Sequence, residues 1–244
     1  MKVYNNFLHT KMDLVGEYST PDIDQGIYSD MLPVMAKRFK ERLDDQYQNV
    51  IVITGGTGSG KSNLAINLAR MLDPHWDLEE NIIYSAADMA VKLDHLETAS
   101  PISLYDEGSV VLNALNFNRK EDRDFMDLFD SMRSLGWTSI LCLPNLKNLN
   151  GSLKATHMDY HFICPDKPLV EGYDRRGFFE TYVPHTYQWT NKVYNLNCGA
   201  GVFSKIPRSV DTVYQDIKRR KQVKIIKKFV KTYKPKTKPE EDTE

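Results

Sequence analysis

Gly55-Gly56-Thr57-Gly58-Ser59-Gly60-Lys61-Ser62 fills every position of the pattern G-x-x-x-x-G-K-[ST]. Four glycines in its first six positions let the backbone close around an anion, with successive N–H groups pointing inward. In such a loop Lys61 reaches the β- and γ-phosphates of a nucleotide, and the Ser62 hydroxyl is placed to hold Mg²⁺. A glycine-rich turn that binds nothing would not need the Lys-Ser pair. A second chemical pair stands 45 residues past Lys61, at Asp106-Glu107. The Asp106 carboxylate suits Mg²⁺ alongside Ser62, directly or through water. Glu107 suits a general base that polarises a water attacking the γ-phosphate, which favours hydrolysis over phosphotransfer. The bland alternative is that both acids only end a strand. Asn145 follows an apolar run ending Leu143-Pro144. It fits a sensor amide touching the γ-phosphate and the attacking water, or else a turn-forming Pro-Asn pair.

These residues need a frame that brings strand ends together. Asn49 to Thr54 is short, β-branched and continuous, and predicts a buried parallel strand leading into the loop. Asn63 to Leu72 predicts a helix whose N-terminal dipole faces the phosphates, with Leu64, Leu68, Met71 and Leu72 apolar. Further strands are expected at Ile82–Ser85, Ile102–Tyr105, Thr138–Leu143 and Tyr160–Cys164. Helices are expected from Asp30 to about Gln46, over Ala86–Leu96 with Met89, Val91 and Leu93 available for packing, and over Glu121–Leu135. The last of these carries Phe125, Leu128, Phe129, Met132 and Leu135 on one side and stops at Gly136. Strands separated by helices predict a parallel sheet covered on both faces. After Pro165 two aromatic strands, Gly177–Val183 and Thr186–Thr190, predict an antiparallel pair. The expected organisation is an extension over 1–49, an ATPase core over 50–165, a small β-rich appendage over 166–216 and a tail over 217–244.

Composition narrows the rest. The chain has 244 residues, 41% hydrophobic and 27% charged, as in an ordinary globular protein. No apolar run approaches the ~18 residues of a membrane span, so no membrane insertion is expected. Cys142, Cys164 and Cys198 form no close pair and fit free thiols in a reducing cytoplasm. His157 and His161, four apart, read as core or surface histidines rather than metal ligands. Arg119, Arg123, Arg133, Arg175 and Arg176 are the arginines available to complete a neighbouring subunit's site. Between Lys218 and Lys238 there are eleven lysines and arginines and no acid, whereas residues 1–217 carry a formal −8. That basic stretch reads equally as a nucleic-acid arm and as a solvated helix with a loose end.

Together the loop, Leu104-Tyr105-Asp106-Glu107-Gly108, the helix ending Met132-Arg133-Ser134-Leu135-Gly136 and the strand ending Leu143-Pro144-Asn145 resemble the FtsK/HerA branch of P-loop ATPases. The likeness extends over about residues 30–165 and is nearest the small viral and plasmid members, some of them zonular-occludens-toxin-like. Leu149 to Ala155 is also similar to the stretch after the sensor in FtsK motors. Asn145 departs from the Gln often found at that position. The resemblance implies a P-loop NTPase fold of the additional-strand, catalytic-glutamate type. It also implies an ATP- and Mg²⁺-dependent oligomer, with a hexameric ring as one form, that moves double-stranded DNA irrespective of sequence in genome packaging or DNA transfer. A P-loop kinase and a non-motor NTP-dependent nucleic-acid-binding protein are the competing readings.

Overall fold

A computed structural model describes residues 3–5, 10–12, 27–28, 30–95, 99–106, 127, 129–132, 135–149, 151–165, 177–187 and 192–233. Glu107, the five arginines named above, most of the helix expected over 121–135 and the tail beyond 233 lie outside them, as does most of the segment before residue 30. Three short strands come first: β1 (Val3–Asn5), β2 (Thr10–Met12) and β3 (Ile27–Tyr28). β1 and β2 pair with each other, antiparallel.

Helix α1 (Met31–Asp44) begins at Asp30 as expected. Strand β4 (Asn49–Thr54) is buried at all six positions. Along it side chains alternate between two packed layers. Val50 and Val52 join a core with Tyr105, Phe129, Met132, Trp137, Leu141 and Leu143. On the other side, Ile51 and Ile53 pair in register with Tyr160 and Phe162, and the Phe39 ring of α1 meets Tyr160 edge-on at 4.4 Å. Asn49 ties the lower edge together, donating to the Phe39 carbonyl and to the Thr138 hydroxyl, both at 3.1 Å.

After β4 come α2 (Lys61–Leu72), α3 (Leu78–Asn81), β5 (Ile82–Ile83), α4 (Ala86–Asp94) and β6 (Ile102–Tyr105). Then follow β7 (Thr138–Leu143), α5 (Gly151–Thr156), β8 (Tyr160–Ile163), β9 (Phe178–Tyr187) and β10 (Lys192–Val202). The main sheet has eight strands in the order β3-β10-β9-β8-β4-β7-β6-β5. From β8 to β5 every neighbouring pair is parallel, so these five strands end on one edge.

Several expectations are corrected. The β-rich segment, expected as an appendage of the same domain, adds to the central sheet: β9 runs antiparallel on β8 and β10 antiparallel on β9. Its first strand is one run of ten residues rather than two, and its partner is β10, a segment not expected as a strand. Of the apolar helix residues named above, Met71, Val91 and Leu135 are exposed, at 44%, 66% and 49%. Val91 is two positions from the buried Met89 and so lies on the opposite face of α4, which an apolar residue type alone does not reveal.

Contacts divide the chain into two compact units, Met1–Ile206 and Pro207–Glu244. The second is carried by α6 (Arg208–Tyr233), which starts before the boundary expected at 217. Along α6 Arg220 pairs with Asp216 at 3.0 Å, and Val223, Ile226 and Val230 are exposed. Among the described residues, no helix is long and apolar enough to cross a membrane.

Candidate functional site

β4 ends at Thr54 and α2 starts at Lys61, so the loop between them lies at the edge where the parallel strands finish. Two glycines fix its shape. Gly55 has φ +150°, and a Cβ built there would meet the Ser59 hydroxyl at 2.7 Å and the Cys164 carbonyl nearer still. Gly60, the N-cap of α2, has φ +97°. Both conformations exclude an ordinary side chain. The first helical bond is Leu64 N–H to the Gly60 carbonyl at 3.0 Å. The N–H groups of the turn before it have no intrahelical acceptor, the arrangement that suits an anion at a helix N-terminus.

Lys61 folds back over the loop, its ammonium donating to the Gly55 carbonyl at 2.8 Å and the Gly56 carbonyl at 2.7 Å. Its neighbour Ser62 donates its hydroxyl to Asp106 Oδ1 at 2.9 Å. Asp106 directly follows β6 and is 3% exposed. Serine and carboxylate therefore meet across the sheet although 44 residues separate them. Among the described residues the buried Ser59 hydroxyl has no hydrogen-bond partner.

Beneath the loop, Cys164 N–H donates to the Thr54 carbonyl at 2.7 Å. Burial pushes its thiol up to about 12, with Lys61 opposing the shift. The Thr54 hydroxyl pairs with His161 Nε2 at 2.8 Å, and burial lowers the imidazole to about 4. His161 is thus a neutral core group. His157 instead sits 2.8 Å from Asp130. Among the described residues, no group of three or more His, Cys, Asp or Glu could hold a metal ion.

β7 lies between β4 and β6, so Asn145 leaves the strand tip that the sensor position requires. Its carboxamide oxygen accepts from Lys147 N–H at 2.9 Å and caps a 3₁₀ turn over Leu146–Asn148. The amide nitrogen is the end chemically able to donate to a ligand. Gly56, Thr57, Gly58 and Ser59 complete the loop, whereas Glu107 lies outside the described residues.

Two features had no counterpart in the sequence reading. Phe203, after β10, lies against Gly60: a Cβ there would meet its Cζ at 3.0 Å. Lys92 is buried, donating to the Ile102 carbonyl at 2.6 Å and Asn81 Oδ1 at 2.5 Å. Its ammonium lies 4.9 Å from the centre of the Trp137 ring. Desolvation lowers its pKa to about 7, against the pull of Glu80 and Asp73. No pattern of residue types marks either position.

Loop, carboxylate and strand order make this the P-loop NTPase fold with an additional strand between the loop strand and the carboxylate strand. No family model matches the chain, and no curated protein sequence matches it. Among solved structures it is similar to the genome packaging NTPase B204 from Sulfolobus turreted icosahedral virus 2, in complex with ATP-γ-S. The TM-score is 0.41 at 12% identity, covering 61% of this chain and 96% of that one. The N-terminal domain of zonular occludens toxin from Neisseria meningitidis gives TM-score 0.36 at 15% identity, over 68% of this chain and 98% of its own. A KaiC-like protein from Pyrococcus horikoshii OT3 gives 0.33 at 13% identity, over 64% and 89%.

Proposed function

We propose that the chain is a Mg²⁺-dependent ATPase that works as an oligomeric motor on DNA. The hydrogen bond from Ser62 to the buried Asp106 carries the nucleotide half of this reading. It joins two hard oxygen donors of the kind Mg²⁺ prefers, beside a loop shaped for phosphate. Bound there, Mg²⁺ would neutralise charge on the β- and γ-phosphate oxygens. The chain's own groups do the rest. Backbone N–H groups of Gly55–Ser62 hold the phosphates, and Lys61 exchanges its carbonyl contacts for the β- and γ-phosphates. Glu107, next to Asp106, takes a proton from the attacking water, and the Asn145 amide orients that water. DNA is assigned from the eleven basic residues of 218–238, the first eight on α6, and from the resemblance to FtsK/HerA motors. Contacts of that kind read phosphate rather than base.

ATP turnover measured with and without duplex DNA, together with mass in solution, tests the whole reading. Lys61→Ala loses binding and turnover together. Glu107→Gln keeps binding while turnover falls by a factor of about 10² or more. A normal rate for Glu107→Gln removes the base assignment, and a wild-type chain that binds no nucleotide ends the ATPase reading. Replacing Lys221, Lys224 and Lys227 by Gln should lower the salt slope of DNA binding by up to about 3. An unchanged slope removes α6 from the DNA site.

A further inference from the structure

Ser62 and Asp106 place the cation side of the proposed site on the β7–β6 side of β4. On the other side of β4 from these two residues lie β8, β9 and β10, which leaves that side for the nucleoside of a bound triphosphate. β10 is parallel to β8, because each runs antiparallel to β9, and β8 is parallel to β4. The segment leaving β10 therefore emerges at the same edge as the phosphate loop. Its first residue is Phe203.

The Phe203 ring is held firmly. Cζ and Cε2 lie 3.0 and 3.3 Å from the position of a Gly60 Cβ, so the ring edge abuts the residue that opens α2. Phe203 N–H donates to the Gly177 carbonyl at 2.7 Å. The next carbonyl, of Ser204, accepts from the Asn67 amide of α2 at 2.6 Å. Behind it stands the fully buried Phe179 ring, with centroids 6.3 Å apart and planes at 45°. Phe203 itself is only half-buried. A partly exposed aromatic ring, anchored on both chain sides and touching the phosphate loop, can offer a face for stacking.

We propose that Phe203 is the platform on which the base of the bound nucleotide stacks, which makes it the base-side binding residue of the site. The inference rests on the nucleotide reading above. Stacking uses a π-face that every base offers, so the platform adds affinity without choosing among bases. It contributes nothing to a ligand that has no base. That difference separates a platform from a ring that merely braces the loop.

The test compares MgATP, MgGTP and inorganic tripolyphosphate binding to the full chain, by calorimetry or competition. Phe203→Ala should weaken ATP and GTP alike by about 5- to 100-fold. Tripolyphosphate should stay within about twofold of wild type, and Phe203→Tyr should bind ATP as the wild type does. Thermal unfolding of each variant checks that the loop is intact. Equal weakening of ATP and tripolyphosphate means that Phe203 only supports the loop, and unchanged ATP binding by Phe203→Ala means that the base lies elsewhere; either overturns the platform alone. A wild-type chain that binds neither ligand overturns the nucleotide site itself, and the platform with it.

Discussion

Gly55→Ala is the sharpest test of the loop geometry. At φ +150° the new methyl group would stand 3.1 Å from Cys164 Cβ and 2.7 Å from the Ser59 hydroxyl, with the Cys164 carbonyl closer than either. The backbone at Cys164 is tied to the end of β4, its N–H donating to the Thr54 carbonyl at 2.7 Å. With ordinary contacts near 3.5 Å, the loop has to shift by about 1 Å. Overpacking of this kind costs about 1–3 kcal/mol, and holding a non-glycine residue in that backbone region costs about 1–3 kcal/mol more. A total of about 2–6 kcal/mol lowers the Tm of a chain this size by roughly 5–20 °C. Because the shifted loop is the phosphate cradle, turnover should also fall by about 10²-fold. Thermal unfolding without nucleotide reads the first effect and steady-state ATPase the second. A Gly55→Ala protein with wild-type Tm and wild-type turnover would falsify the close approach of Gly55 to β8.

Asp106→Asn keeps the size of the buried group but removes its charge. Mg²⁺-dependent turnover should disappear while Tm without nucleotide holds or rises, and a Tm fall with turnover retained would mean that the carboxylate is only structural. Lys92 has a folded pKa near 7, below its unfolded value of 10.5, so the unfolded chain binds the proton more tightly. Stability should therefore climb from about pH 7 to about pH 10.5, by up to about 5 kcal/mol from this group. Denaturant titrations of Lys92→Met should lose that rise, and parallel pH curves would contradict the burial argument. His161 has a folded pKa near 4 against 6.5 unfolded, so stability should fall as the pH drops from about 6.5 to about 4. His161→Gln, which can still pair with Thr54, should shrink that acid loss by about 3 kcal/mol. Equal acid sensitivity in the two proteins would show that His161 is not the titrating group.

Four core strands were legible within a residue at each end because each is a short apolar run covered on both faces. β4, β6, β7 and β8 have no polar side to blur them. The hairpin is different. β9 carries Pro184 mid-run, which argues against a strand, yet Pro184 pairs with Asn195 in the antiparallel ladder. β10 contains Gly199 and Gly201, with a register shift between Asn197 and Gly199. Gly201 shows why such a composition belongs there: a Cβ would meet the Phe179 ring at 2.6 Å and Met31 Cβ at 2.7 Å. Glycine lets β10 lie close under the start of α1. A propensity argument sees only a poor strand former, because the reason for the glycine is a contact with a residue 170 positions earlier in the sequence.

The site divides the same way. Gly55–Ser62 announces phosphate chemistry by residue type alone, and Asp106 follows from an apolar strand ending in a carboxylate. Both lie on the side of the sheet built from continuous apolar strands. Phe203 follows a strand that composition conceals and reaches the loop only because β10 shares the direction of β4. In the proposed site, the loop motif therefore reports that a triphosphate and its cation are held. How the nucleoside is held depends on what the widened sheet brings to Gly60. The hairpin does more than lengthen the sheet: it supplies the wall that the phosphate loop lacks on the side away from Asp106. Swapping that hairpin for a short turn should spare tripolyphosphate binding and sacrifice the contribution of the base, as long as β8 keeps its place beside β4.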